Sequence, residues 1–522
     1  MSVTQSTSIF PPTPDRSPSA TPTLFASKVT EPAPNHTPTT PPCPTNSFLA
    51  SKLTITHATN LLPVPLPNSP EMWSQKCHTD HMLTCSWSAL TGWSDPAIVP
   101  FAPLTLSPMS SVLHYATECF EGMKAYRSNH DGRLRLFRPQ RNCERMLKSA
   151  TRVALPAFEP AELRGCIEKF VALEGPRWLP RTEPDDGEAE AASGSYLYLR
   201  PTMIGTGDAL GVQRPTGALF FLVAVCFPPL DEPQKAVLPQ AANQQPASLP
   251  APPPLAPLAG AVVVVPPPPA PPKTERGVTR EAAGMRLLAS STDSIRAWPG
   301  GFGNAKVGAN YGPSLVAQGE ARAQGYHQIL WLFGAECYVT EAGGSNFMVI
   351  WRTKVEQGSR LQLVTAPLGD GVILDGVTRG SVLDLVRERW APRARSPSSP
   401  SSSRTAETGL RRIAAGRGDE EEETVEMDVL ERRFTMAEIV EASDEGRLLE
   451  AFGCGTAFFI APVADIRFRG RELELPLKRG VQARYAMTIK RWLREIMFGV
   501  VQHEWGVVLA EEEEEEEEEG GA

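Results

Sequence analysis

Ala305-Lys306-Val307-Gly308-Ala309-Asn310-Tyr311-Gly312 sets one amine among small residues, with a phenol five positions further on. Nothing bulky beside Lys306 blocks an approaching carbonyl, so the amine can be offered to a ligand and form an imine with it. On that fragment alone, a surface lysine on a turn is the simpler explanation. A second stretch changes the balance. Thr340-Glu341-Ala342-Gly343-Gly344-Ser345-Asn346-Phe347 follows two apolar runs, Gln328 to Phe333 and Cys337 to Thr340, and places a carboxylate beside a glycine turn.

A lysine for an aldehyde and a carboxylate for a ring nitrogen are the two fixed points that pyridoxal 5'-phosphate chemistry requires. Read with Leu113-His114-Tyr115-Ala116-Thr117-Glu118-Cys119-Phe120-Glu121-Gly122-Met123-Lys124, the segment from Arg296 to Trp351 resembles the branched-chain amino acid aminotransferases of the fungal kind. Several separated motifs agree in order and spacing, where chance would supply one. The resemblance spans roughly residues 51–227 and 288–509. It implies a two-domain fold-type IV architecture of the α/β (α+β) class. A small N-terminal α/β domain would occupy 51–227 and a large cofactor-binding domain 288–509.

Composition agrees with a chain of that size. By length alone, 522 residues could hold about three domains, but 51 prolines and several biased stretches reduce the foldable part to about two. The net charge is −9 and the run Glu511 to Glu519 carries nine negatives, so the rest is near neutral. No basic patch argues for nucleic acid. Nine cysteines stand singly without a C-x-x-C pair, which reads as reduced thiols rather than a disulfide framework. The longest apolar run, Ala218 to Phe227, is too short to span a bilayer and reads as a buried strand.

Residues 1–50 read as a disordered Ser/Thr/Pro-rich leader. Arg16 and Lys28 are its only Lys or Arg residues, and prolines at 11, 12 and 14 oppose the amphipathic helix of a mitochondrial presequence, so a cytoplasmic location is expected although relatives include mitochondrial enzymes. The Pro/Ala-rich stretch 228–287 and the biased stretch 391–424 cannot bury enough apolar surface to offset ordering and read as low-complexity insertions; translated intron sequence is an alternative origin. Residues 510–522 read as a solvated acidic tail.

Between these breaks the pattern becomes regular from Leu113. Periodicity predicts strands at 133–137, 195–201, 218–225, 328–333, 347–351 and 361–365. Helices are predicted at 142–155, 161–173, 379–390 and 480–498, while 436–442 and a turn at 452–457 lead into another apolar strand. Alternation in 195–201 sends Tyr196, Tyr198 and Arg200 to one face and Leu197 and Leu199 to the other.

Residue by residue, the resemblance implies Lys306 as the catalytic Schiff-base lysine and Glu341 as the partner of the pyridine nitrogen. Tyr311 is implied beside the cofactor's ring oxygen. The phosphate would meet Arg145, the amides of Val377 and Thr378 at the start of the 379–390 helix, and Thr456 in a Gly-Thr turn. For substrate, the resemblance implies an aromatic wall of Tyr115, Phe120 and Tyr198, with the Ala457 amide turned towards the ligand. Arg200 would take the distal carboxylate of glutamate or 2-oxoglutarate. An inward arginine is costly to bury unless an anion meets it. Leu210 and Val212 match residues that reach a neighbouring subunit's site, implying a homodimer.

The activity implied is exchange of leucine, isoleucine or valine plus 2-oxoglutarate for the branched 2-oxo acid plus glutamate. A D-amino acid aminotransferase, an aminodeoxychorismate lyase and an inactive regulatory relative are the alternatives. Gly344 departs from relatives that carry a hydroxyl or methyl residue there, and Phe458 and Ala461 occupy the places of a redox C-x-x-C. Cys77-His78-Thr79-Asp80-His81 suggests metal ligands, but five contiguous residues with no distant ligand pair do not complete a site, so no metal is expected.

Overall fold

A computed structural model describes residues 47–67, 69–181, 196–228, 284–391 and 425–511. The expectations for the leader, both low-complexity stretches and the acidic tail fall, all but their margins, outside the described residues.

Two sheets dominate. In the first, strands run in the order Thr54–Ile55, Ala97–Pro100, His81–Ser88, Gly217–Phe227, Tyr196–Gly205, Met123–Arg127, Leu134–Phe137 and Gly506–Val508. The short strand Glu118–Phe120 pairs with Tyr196–Gly205 at the edge that faces the lysine. Helices Pro139–Arg152 and Pro160–Trp178 cover this sheet, burying Met146, Ala150, Ile167 and Phe170 against Leu83, Leu134, Leu197 and Phe220. Leu197 and Leu199 are fully buried while Tyr198 and Arg200 are not, but Tyr196 on the latter face is buried too, because it packs into the core against the second sheet.

In the second sheet, Tyr338–Ala342, Gln328–Phe333, Met285–Ala289, Phe459–Phe468, Leu448–Gly455 and Ser345–Arg352 follow one another, and the last pairs back to the first. The strands therefore close a ring, which leaves no free edge among them. Leu361–Thr365 and Met427–Glu431 extend it. Helices Val377–Trp390 and Arg484–Met497 pack on it in a core that also takes Tyr126, Phe137 and Tyr196 from the first sheet, so one apolar cluster joins both.

Several boundaries move. The 379–390 helix begins at Val377 with Gly376 as its N-cap, so Thr378 lies in the first turn rather than at the cap. A side chain at Gly376 would overlap the Asn346 amide, so glycine permits that approach. Most of the expected turn at 452–457 is strand as far as Gly455, because Cys454 pairs with both Asn346 and Ile460. The final helix starts at Arg484, since Gly480 instead ends a short 3-10 turn with φ of 86°. The 142–155 helix spans Pro139–Arg152, and the 161–173 helix runs on to Trp178. Residues before Leu113 hold strands too, His81–Ser88 lying inside the first sheet. In the Cys77–His81 stretch, His81 pairs with the buried Glu174 and Asp80 with Arg177.

Candidate active site

The loop carrying Lys306 is bound to helix Pro139–Arg152 at one point and to the first sheet at two. Its amide donates to Ser149 Oγ at 2.8 Å, its carbonyl accepts from the Phe120 amide at 3.1 Å, and Val307 bridges to Cys119. Asn310 closes the loop by donating to the carbonyls of Phe302 and Ala305 at 2.6 and 2.9 Å. Gly308 lets the Glu118 carboxylate lie against the loop, and a Cβ there would displace that side chain. So anchored, the Lys306 amine donates to the Tyr311 phenol oxygen at 3.1 Å and lies 4.7 Å from the centre of the Phe120 ring.

Glu341 sits on the ring-closing strand Tyr338–Ala342, opposite Asn346, and is buried. One carboxylate oxygen accepts from Asn346 Nδ2 at 3.1 Å and from the Leu374 amide at 3.2 Å; the other meets the Arg296 guanidinium. Burial pushes this carboxyl above its ordinary range, with Arg296, the Leu374 N–H and Lys306 opposing it. A carboxylate has about four acceptor positions. The second oxygen therefore retains room for one more donor.

Arg145 projects from helix Pro139–Arg152 into a fork with Glu121: Nε donates to one carboxylate oxygen at 2.7 Å and Nη2 to the other at 2.8 Å. Its Nη1 donates to the Asp375 carbonyl at 2.9 Å, which brings the guanidinium to the N-terminal end of helix Val377–Trp390. The positive end of a helix and an arginine thus occupy one corner, an arrangement suited to an anion. Burial raises the Glu121 carboxyl, but Arg145, Lys306 and Asn142 outweigh it and hold the group below the usual carboxylate range. Nearby, the turn after Gly455 is held by Thr456 Oγ1 donating to the Gly122 carbonyl at 3.4 Å.

On the strand Tyr196–Gly205, Arg200 Nη2 donates to the Tyr198 phenol at 3.1 Å, and its guanidinium lies 4.8 Å from the Phe120 ring centre. Phe120 in turn is 5.1 Å from the Tyr311 ring. Arg200 Nε is buried without a hydrogen-bond partner among the described residues. Lys306, Tyr311, Phe120, Tyr198 and Arg200 therefore form one cluster.

Tyr115, Leu210 and Val212 are not brought into it. The Tyr115 phenol donates to the Leu210 carbonyl, and Leu210 and Val212 are 54% and 87% exposed, next to exposed Leu113. Arg296, Glu121, Ser149 and Asn346 went unassigned in the sequence although all four touch assigned residues. Arg296 and Glu121 stood within the quoted motifs, but nothing local marks a charge pair across tens of residues. Cys454, beside Asn346 in the sheet, is buried and its thiol is pushed up to about 12, so it is not a reactive group.

Residues 256–395 match the family described as amino-transferase class IV. The chain is 37% identical over 436 residues to the mitochondrial branched-chain-amino-acid aminotransferase of Schizosaccharomyces pombe, covering 83% of this chain and 80% of that one. It is 35% identical over 464 residues to the cytosolic enzyme of that name from Saccharomyces cerevisiae, covering 88% and 98%. Among solved structures, the branched-chain amino acid aminotransferase from Escherichia coli aligns with a TM-score of 0.49 at 19% identity, over 82% of this chain and 98% of that one.

Proposed function

Because this chain belongs to the branched-chain-amino-acid aminotransferases of class IV, we propose that its Lys306 cluster is the site at which leucine, isoleucine or valine exchanges its amino group with 2-oxoglutarate. The observation that carries this reading is the Lys306 amine, held 3.1 Å from the Tyr311 phenol and 4.7 Å from the Phe120 ring centre, with the Arg200 guanidinium 4.8 Å from that same ring centre and its Nε unpartnered among the described residues.

The residues present fit pyridoxal 5'-phosphate. An amine, a buried carboxylate with an acceptor position to spare, and an arginine at a helix N-terminus match the aldehyde, ring nitrogen and phosphate in kind. Arg145, the amides of Val377 and Thr378, and Thr456 through its backbone amide would hold the phosphate; Glu341 would hold the ring nitrogen and Tyr311 the ring oxygen. Bound there, the cofactor supplies the electron sink for the bond broken at the substrate's alpha carbon.

Lys306, as a neutral amine, would move a proton from the amino acid's alpha carbon to the cofactor's C4′ carbon in one half-reaction and in the reverse direction, onto the alpha carbon of the product glutamate, in the other. Tyr311 holds the lysine amine in position for both. Phe120 and Tyr198 offer apolar surface to a branched side chain. Arg200 serves the distal carboxylate of glutamate or 2-oxoglutarate, so one pocket admits both kinds of substrate by presenting rings and a guanidinium side by side. The Ala457 amide binds what all substrates share, the alpha-carboxylate.

The active unit on this reading is a homodimer, with Tyr115, Leu210 and Val212 of each copy completing the other's site. The composition of residues 1–50 supports the cytoplasm as its compartment. An absorbance spectrum of the purified protein before and after L-leucine tests the reading. Loss of a visible band on adding leucine, with glutamate formed once 2-oxoglutarate follows, is expected. No visible band and no glutamate would overturn it, and response to D-alanine in place of L-leucine would favour a D-amino acid enzyme.

A further inference from the structure

Lys124 lies on the strand Met123–Arg127, every residue of which is buried, and is itself 2% exposed. It faces Tyr198 across the strand pair, yet its amine reaches the other sheet. There it donates to the Ala457 carbonyl at 2.9 Å, with the Tyr196 ring centre at 3.6 Å and that of Phe459 at 4.3 Å. Burying a lysine amine is costly, and the two rings and the carbonyl help offset that cost.

The turn it reaches joins Leu448–Gly455 to Phe459–Phe468 and is three residues long. Two residues earlier on the Lys124 segment, the Gly122 carbonyl accepts from Thr456 Oγ1. Lys124 on its strand and Gly122 just before that strand thus hold two consecutive residues of a turn on the second sheet.

We propose that Lys124 is a positioning residue that fixes this turn and so sets the affinity for the alpha-carboxylate shared by all substrates. The inference rests on the reading of the Ala457 amide given above. Pinning the Ala457 carbonyl restricts rotation about that residue, and with it the direction of the amide that meets the ligand. Arg200 discriminates between side chains, whereas Lys124 acts on every substrate alike.

The test is Lys124→Met in the full-length holoenzyme. A hydrogen bond to a charged group, once lost, corresponds to a rise of about tenfold in KM, expected equally for L-leucine and 2-oxoglutarate with a smaller fall in kcat. The inhibition constant of 4-methylpentanoate, a branched carboxylate without an amine, should rise in parallel. The spectral dissociation constant of 3-methylbutylamine, which has the amine and no carboxylate, should not move, and Lys124→Arg should recover part of the loss. Unchanged KM values, or equal losses for the amine and the acid, overturn the proposal. Should Lys124→Met not fold, Phe459→Leu removes one ring from the amine and should shift the two carboxylate constants in the same direction by less; no shift overturns it equally. A wild-type protein without cofactor absorbance or transamination would instead count against the site itself.

Discussion

The Lys306 amine and the Tyr311 phenol, 3.1 Å apart, belong to one short turn whose backbone is fastened to residues 119, 120 and 149. The backbone that carries the pair is thus set by contacts outside the turn itself. Lys306→Ala should abolish turnover while the fold, followed by circular dichroism and thermal melting, is retained. Tyr311→Phe leaves the amine without its oxygen partner and should lower kcat by about tenfold or more, within the range of general acid–base effects. Full activity in Lys306→Ala would remove the lysine from its assigned role.

Arg200 has one nitrogen on Tyr198 and another buried without a partner among the described residues. Replacing it with alanine should raise KM for glutamate and 2-oxoglutarate by about 10- to 100-fold, the scale of a lost charge-assisted hydrogen bond, and change that for leucine by less than about threefold. Steady-state kinetics with both substrate pairs reads this directly. Equal losses would contradict a pocket that serves apolar and acidic side chains through different residues.

What the sequence made legible was periodicity and motif. Strands 328–333 and 361–365 appear at the predicted bounds because each is an apolar run between breaks, and the alternation at 197–200 sorts buried from half-buried side chains, whereas Tyr196 is buried by its tertiary contacts. Ends of elements were less legible. Gly376 caps a helix because Asn346 leaves no room for a side chain, and Cys454 stays in strand because two neighbours pair with it, both tertiary causes. His81–Ser88 went unnoticed because its entry, Cys77 to His81, is polar, and its polar groups find partners some 90 residues away. Pairs such as Glu121 with Arg145 and Glu341 with Arg296, 24 and 45 residues apart, have no local signature.

Arg296 is the cation in contact with the Glu341 carboxylate. Arg296→Met leaves a buried carboxylate without it, a change that costs about 3–5 kcal/mol when one partner of a buried pair is removed. The Glu341 carboxyl, already raised by burial, should rise further. The variant should then lose stability most at neutral pH and recover part of it on acidification, as the group takes a proton. Glu341→Gln added to Arg296→Met should restore much of the loss in denaturant melts; additive losses would show that the two do not act as a pair.

Glu121 behaves in the opposite sense. Its carboxyl is held below the usual range, so its folded-state value lies under its unfolded one. The stabilisation from its fork with Arg145 is present above the unfolded carboxylate range and is lost as pH falls through the folded value. Glu121→Gln should therefore melt well below the wild type at pH 7, by an amount on the order of 3–5 kcal/mol, and the gap should narrow as the pH is lowered through the acid range. A gap independent of pH would mean that packing, and not the charge, is what Glu121 contributes.

Leu210 and Val212 are exposed, as are Leu113 and Tyr115, and a second copy would meet them there on the proposed dimer. A contact that completes the partner's site makes a specific prediction. The double variant Leu210→Ala, Val212→Ala should be impaired in kcat/KM although its own Lys306 is intact, and Lys306→Ala should be inactive although its own Leu210 and Val212 are intact. Unfolding and refolding the two together places one sound lysine opposite one sound apolar pair in each mixed dimer. Random pairing of a two-fold assembly then yields about a quarter of the wild-type activity per chain. Sedimentation as a fully active monomer, or no recovery on mixing in a preparation that does dimerise, would show that each chain builds its site alone.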